Sequence, residues 1–243
     1  MDLFAAIQKP TLLLDEDKAR GNIRRMAEKA RQQGIRFRPH FKTHQSAQIG
    51  EWFRPEGVEC ITVSSLEMAE YFAAHGWGDI TLALPVNLRQ AEGIAALARR
   101  IRLGVLVEDE QVLARLAETV NAPLEVWIKV DTGLGRTGVA WNDAQRLHRV
   151  AQAGLAARRF HLRGLLTHAG HTYGAGNPDN VRRVYAESVA RIQQARQGLA
   201  QAGINDLEIS VGDTPGCSLS DDLGAVDEIR PGNFVLYDAQ MFN

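Results

Sequence analysis

Lys42 closes the run Arg36-Phe37-Arg38-Pro39-His40-Phe41-Lys42, in which aromatic or proline residues alternate with basic ones. Side chains of a strand point alternately to opposite faces. Phe37, Pro39 and Phe41 therefore share an apolar face, and Arg38, His40 and Lys42 share a basic one. An amine held among other cations and away from water binds its proton less tightly, which makes it nucleophilic enough to attack a carbonyl. A solvated edge strand with one polar face would show the same alternation. His44 lies close by, but the turn after Lys42 removes the helical geometry that a metal-binding His40/His44 pair would need.

Four further segments carry groups that could serve such an amine. The stretch Lys129 to Gly138 contains G-x-G-x-x-G with Arg136 inside it. Directly after a strand, that pattern suggests a dinucleotide site. The mid-chain position, the missing acid about 20 residues on and the late helix start near Asn142 weigh against it. His168-Ala169-Gly170-His171-Thr172-Tyr173 runs from an apolar strand into a loop bearing two imidazoles and a phenol. Ser210-Val211-Gly212-Asp213-Thr214-Pro215-Gly216 offers hydroxyls and backbone N–H groups suited to a phosphate, provided that Asp213 points away. Arg230-Pro231-Gly232-Asn233 adds a cation and an approachable backbone.

These segments need a scaffold that brings them to one place. Strand-like stretches are expected at 11–15, 36–42, 60–64, 79–84, 102–107, 124–130, 162–168, 207–211 and 229–237, with helical stretches such as 45–53, 66–75, 87–99, 110–120, 142–153 and 179–202 between the last eight. Eight alternating units over 243 residues suit a single (β/α)8 TIM-type barrel, a fold that commonly takes about 250 residues and gathers the carboxyl ends of its strands on one rim. The expectation is one barrel domain over residues 1–243, with one strand more than the barrel number.

Composition narrows the function. A net charge of −1 without a basic block excludes a nucleic-acid backbone or an anionic membrane as partner. No stretch approaches the roughly 18 uninterrupted apolar residues of a membrane span. Two cysteines, Cys60 and Cys217, cannot build a disulfide framework, and Asp2 with Lys9-Pro10 leaves no room for a signal segment. A soluble, cytoplasmic protein is expected.

Taken in order, Arg38 to His44, Asp131 to Gly138, His168 to Tyr173, Ser210 to Pro215 and Arg230 to Asp238 resemble the D-threonine aldolase and D-serine dehydratase group. That group is related to alanine racemase among the fold-type III pyridoxal-phosphate enzymes. The resemblance implies an alanine racemase N-terminal domain-like barrel with pyridoxal 5'-phosphate as cofactor, and it puts the strand 11–15 outside that barrel. It makes Lys42 the Schiff-base lysine, brings Arg136 to the pyridine nitrogen and sets His168 and Tyr173 beside the ring. It also implies that Ser210, Gly212, Thr214, Gly232 and Asn233 hold the phosphate. The expected catalytic set is Lys42, His40, Arg136, His168 and Tyr173, acting on a small D-amino acid, with a homodimer as the possible assembly.

The resemblance further implies a C-terminal β-domain carrying the ligands of a divalent metal, which this sequence lacks; no metal ligand is assigned within it, and little lyase activity is expected from these residues alone. Retro-aldol cleavage of a D-threonine-like substrate to glycine and an aldehyde is favoured, on His171-Thr172-Tyr173. The alternatives are D-serine or D-3-hydroxyaspartate dehydration, racemisation, or a barrel-only protein of pyridoxal-phosphate homeostasis, whose motifs fit less well.

Overall fold

The computed structural model describes residues 4–237. After a 3-10 turn at Phe4–Ala6 the chain runs through α1 (Glu16–Gln32), β1 (Arg36–Phe37), α2 (Ala47–Gly50), β2 (Ile61–Val63), α3 (Leu66–Ala74), β3 (Asp79–Pro85), α4 (Ala91–Ala98), β4 (Arg102–Val107) and α5 (Glu110–Thr119). It continues through β5 (Leu124–Asp131), β6 (Val139–Ala140), α6 (Ala144–Ala156), β7 (Phe160–Leu166), α7 (Pro178–Gln201), β8 (Glu208–Val211), α8 (Thr214–Leu219) and β9 (Glu228–Ile229). Side chains placed just before the helices accept from their first free N–H groups: Ser65 for α3, Asp109 for α5, Asp143 for α6 and Asn177 for α7.

Eight strands pair in parallel in the order β1-β9-β8-β7-β5-β4-β3-β2. A parallel bridge from His40 to Thr62 joins the two ends of that order, so the sheet closes into the expected barrel. The lysine strand is regular for only two residues because Pro39 has no N–H to give. Beyond Phe37 the pairing continues as single bonds, from Arg38 N–H to the Ile229 carbonyl and from Thr62 N–H to the Pro39 carbonyl. The expected strand 229–237 likewise stops at Ile229, where Pro231 and Gly232 lead into a 3-10 turn at Asn233–Val235. The small β6 lies off the ring against β5. Gly138 makes that approach possible: its φ is +114°, and a Cβ there would sit 2.8 Å from the Asp131 backbone nitrogen.

Residues 11–15 form no strand. Leu12, Leu13 and Leu14 are all exposed, and Asp15 caps α1 by accepting from Lys18 N–H. Three consecutive leucines carry no two-residue alternation, and no described strand offers this backbone a ladder.

Between the barrel and its helices lies one large apolar core, while Leu106, Trp127 and Leu166 form a separate cluster. At the strands' starting ends a closed circuit of ion pairs alternates four arginines with four acids. Arg36 meets Glu208, Arg163 links Glu208 to Glu125, Arg102 links Glu125 to Asp79, and Arg38 links Asp79 to Glu228, which returns to Arg36. The N-terminal rim of a barrel is where stability is built. The opposite rim is left for chemistry.

Candidate active site

Around that opposite rim the strand ends enclose an open cleft of about 630 Å3. From the end of β1 come His40 and Lys42, and from β7 and the loop after it come Leu166, His168 and Tyr173. The ends of β8 and β9 supply Gly212, Asp213, Arg230, Gly232 and Asn233, and Arg136 reaches in from the glycine loop. Eight of the ten predicted site residues therefore converge on one space. Ser210 and Thr214 do not line it. The Ser210 hydroxyl is taken up inside the barrel, donating to Glu228 Oε1 and accepting from Arg230 Nε. Thr214 begins α8.

Burial, with the charges of Arg136 and Arg230, holds the Lys42 amine below its ordinary value. That is the desolvated amine among cations that the strand pattern implied. His40 is pushed well below the ordinary imidazole range by burial and by Lys42, Arg230 and His168. His168 falls to about 3, chiefly through burial, while its Nδ1 bonds the Gly212 carbonyl. Both imidazoles are neutral at physiological pH.

Sequence reasoning left out Lys129, a second cleft amine that burial, Arg230 and Arg136 bring down to about 7. A signal for it existed: Glu125, Trp127, Lys129 and Asp131 alternate with Leu124, Val126, Ile128 and Val130, the pattern that exposed Lys42.

The glycine loop is not shaped for a pyrophosphate. Asp131 accepts the N–H groups of Gly133 and Gly135, so the loop's donors serve its own turn. His44 sits apart from His40, packed against Phe41 with ring centroids 4.5 Å apart. Among the described residues no group of three or more His, Cys, Asp or Glu side chains is arranged to hold a metal, and both cysteines are buried and unpaired. No described helix is long and apolar enough to cross a membrane.

The cleft residues fit pyridoxal phosphate. Beside the lysine is a corner where backbone approaches closely: a Cβ on Gly212 would stand 2.9 Å from the Arg230 backbone, and one on Gly232 would stand 3.0 Å from the His40 carbonyl oxygen. Thr214 Oγ1 is buried there without a hydrogen-bond partner, and Thr214 N–H reaches the Tyr173 hydroxyl at 3.4 Å. An orphaned hydroxyl next to glycine backbone is what an anion such as a phosphate would satisfy. Asp213 meets the condition set by the sequence only in part: Oδ1 accepts from Thr172 Oγ1 and Gly216 N–H, while Oδ2 stays without a partner at the corner.

A closed parallel barrel with a low-affinity lysine amine, a phosphate-shaped corner and surrounding cations defines the fold-type III class of pyridoxal-phosphate proteins. The chain belongs within it to the alanine racemase N-terminal domain family, whose model matches residues 14–239. It is 32% identical to the D-threo-3-hydroxyaspartate dehydratase of Delftia sp. (strain HT23) over the whole of this chain and 64% of that protein. The solved structure of that dehydratase superposes with a TM-score of 0.92, covering 98% of this chain and 63% of that one. Identity to the D-serine dehydratase of Dictyostelium discoideum is 27%, over 97% of this chain and 64% of that protein. The structure of D-threonine aldolase from Filomicrobium marinum matches with a TM-score of 0.90 at 25% identity, over 97% of this chain and 64% of that one. The chain thus spans a little under two thirds of the length of these relatives.

Proposed function

We propose that this chain is the cofactor-binding barrel of a pyridoxal-phosphate-dependent lyase that acts on a D-3-hydroxy amino acid. The observation that carries the reading is Lys42, an amine of lowered proton affinity in the same cleft as Gly212 and Gly232, with the unpartnered Thr214 hydroxyl buried behind them. Lys42, Arg136, His168, Tyr173, Gly212, Thr214, Gly232 and Asn233 would hold the cofactor. When bound, it supplies an electron-withdrawing ring that stabilises charge left on the substrate Cα. Arg136 would face the ring nitrogen, and Arg230 adds a positive charge that offsets a bound anion. Burial and the charges of Arg136 and Arg230 keep the Lys42 proton affinity lowered, so that the free amine can accept a proton, while His40 and His168 stay neutral beside it. The divalent metal, which would engage the β-hydroxyl, is assigned to the further length that the relatives carry.

Loss of water from the substrate is the preferred outcome, supported by the similarity to two dehydratases. The retro-aldol expectation leaned on His171-Thr172-Tyr173, but of these only Tyr173 lines the cleft. Thr172 bonds Asp213, and His171 faces Ser188 at 3.4 Å. Retro-aldol cleavage stays as the second reading on the likeness to a D-threonine aldolase. A homodimer and a cytoplasmic setting belong to the same proposal. The test has two parts. Borohydride should trap the cofactor on wild-type protein and not on Lys42→Ala; a trapped lysine in the variant would refute the assignment. The chain joined to a C-terminal region of the length that the relatives carry should convert D-threo-3-hydroxyaspartate or D-serine to a 2-oxo acid and ammonia. Glycine and an aldehyde would establish the retro-aldol reading instead.

A further inference from the structure

The ion-pair circuit at the barrel floor does not end there. Inward positions along β8 and its extension are Glu208, Ser210 and Gly212, and along β9 and its extension they are Glu228, Arg230 and Gly232. In both, the chain rises in two steps from an acid of the circuit, through a polar middle residue, to a glycine of the cleft. The middle residues touch: Arg230 Nε donates to Ser210 Oγ at 2.7 Å, and Ser210 Oγ donates to Glu228 Oε1 at 2.6 Å. The other carboxylate oxygen of Glu228 accepts from Arg38 Nε at 2.6 Å. Arg38, Ser210, Glu228 and Arg230 are each at most 4% exposed. Arg230 Nη2 is held by the Thr167 carbonyl. Among the described residues nothing accepts from Nη1, and Arg230 lines the cleft.

We propose that Ser210 and Glu228 are positioning residues, which fix the Arg230 guanidinium so that its Nη1 meets an acceptor on the ligand bound in the cleft. A purely structural circuit would use both oxygens of Glu228 within the ring. Here one oxygen is turned upward to a hydroxyl that passes the constraint to Arg230. A guanidinium pinned at Nε and Nη2 has one orientation left, so a ligand need not hold it in place. The inference rests on the cleft being the ligand site, not on which lyase reaction follows. It gives Ser210 a role through Arg230, in place of a direct bond to phosphate.

The experiment compares wild type with Ser210→Ala and Glu208→Gln, the second breaking the circuit at an acid that does not touch Ser210. Pyridoxal phosphate affinity, read by absorbance titration, is expected to fall about tenfold in Ser210→Ala, since a hydrogen bond to a charged group is lost. Glu208→Gln should lower thermal stability and leave that affinity unchanged. In wild-type protein without cofactor, nitrogen-15 NMR should show a slowly exchanging Arg230 Nε–H that is lost in Ser210→Ala. Adding pyridoxal phosphate should move the Nη1 resonance. Wild-type affinity in Ser210→Ala, an equal loss in Glu208→Gln, or an Nη1 signal indifferent to cofactor would each overturn the proposal. Because the NMR readout needs no turnover, a protein that passes it yet gives no product when joined to a metal-bearing C-terminal region would count against the lyase reading and leave this one intact.

Discussion

Asp213 lies at the phosphate corner, is buried, and has one carboxylate oxygen, Oδ2, without a hydrogen-bond partner. Burial pushes its carboxyl up from 3.8 to about 6, against the lowering effects of Thr172, Gly216 and Arg230. The folded chain therefore holds the Asp213 proton more tightly than the unfolded chain does. Stability linked to this group is fully present below pH 3.8 and is lost as pH rises through about 6. At 1.36 kcal/mol per pH unit, the interval between the two values is worth about 3 kcal/mol as an upper bound.

Asp213→Asn keeps an oxygen to accept from Thr172 and Gly216, and it replaces the orphaned oxygen with an amide. The variant should equal wild type near pH 4 and exceed it by as much as about 3 kcal/mol at pH 8. The assay is denaturant unfolding of cofactor-free protein at both pH values. Removing a negative charge beside the phosphate corner should also tighten inorganic phosphate at pH 8 and change little at pH 4. A stability difference independent of pH, or a variant weaker at pH 8 than at pH 4 relative to wild type, would refute the reasoning.

Two other outcomes follow from the same cleft. Arg136→Ala removes the charge that, after burial, contributes most to lowering the Lys42 proton affinity. The pH at which Lys42 becomes reactive toward an amine-modifying reagent should therefore move upward, and a downward move would contradict the arrangement. Gly212→Ala would drive a Cβ to 2.9 Å from the Arg230 backbone, so it should cost about 1–3 kcal/mol in unfolding measurements and weaken pyridoxal phosphate, and a variant matching wild type in both would show the corner to be roomier than described.

Local pattern was enough to place most elements. Arg102–Val107 matches its expected bounds, and Pro178–Gln201 falls within a residue of its own, because a strand covered on both faces and a long one-sided helix announce themselves over many residues. Alternation likewise aimed His40 and Lys42 inward, since the two-residue period is a property of the chain itself. It said nothing about what those side chains would meet. Ser210 reads as a phosphate ligand beside Gly212, yet the face it shares with Glu208 is met inside the closed ring by Glu228 and Arg230, and their charges claim its hydroxyl. Alternation also turns Lys129 inward, but its lowered proton affinity depends in part on Arg230, which closure brings from a strand distant in sequence. Residues 11–15 looked extended, but a strand needs a neighbour to receive its backbone hydrogen bonds, and no described strand pairs with them. The sequence by itself determined the alternation of elements and the inward placing of His40 and Lys42. Only barrel closure decided which inward side chains share an environment, because burial and charge act across space between residues that the chain separates by as many as 192 positions.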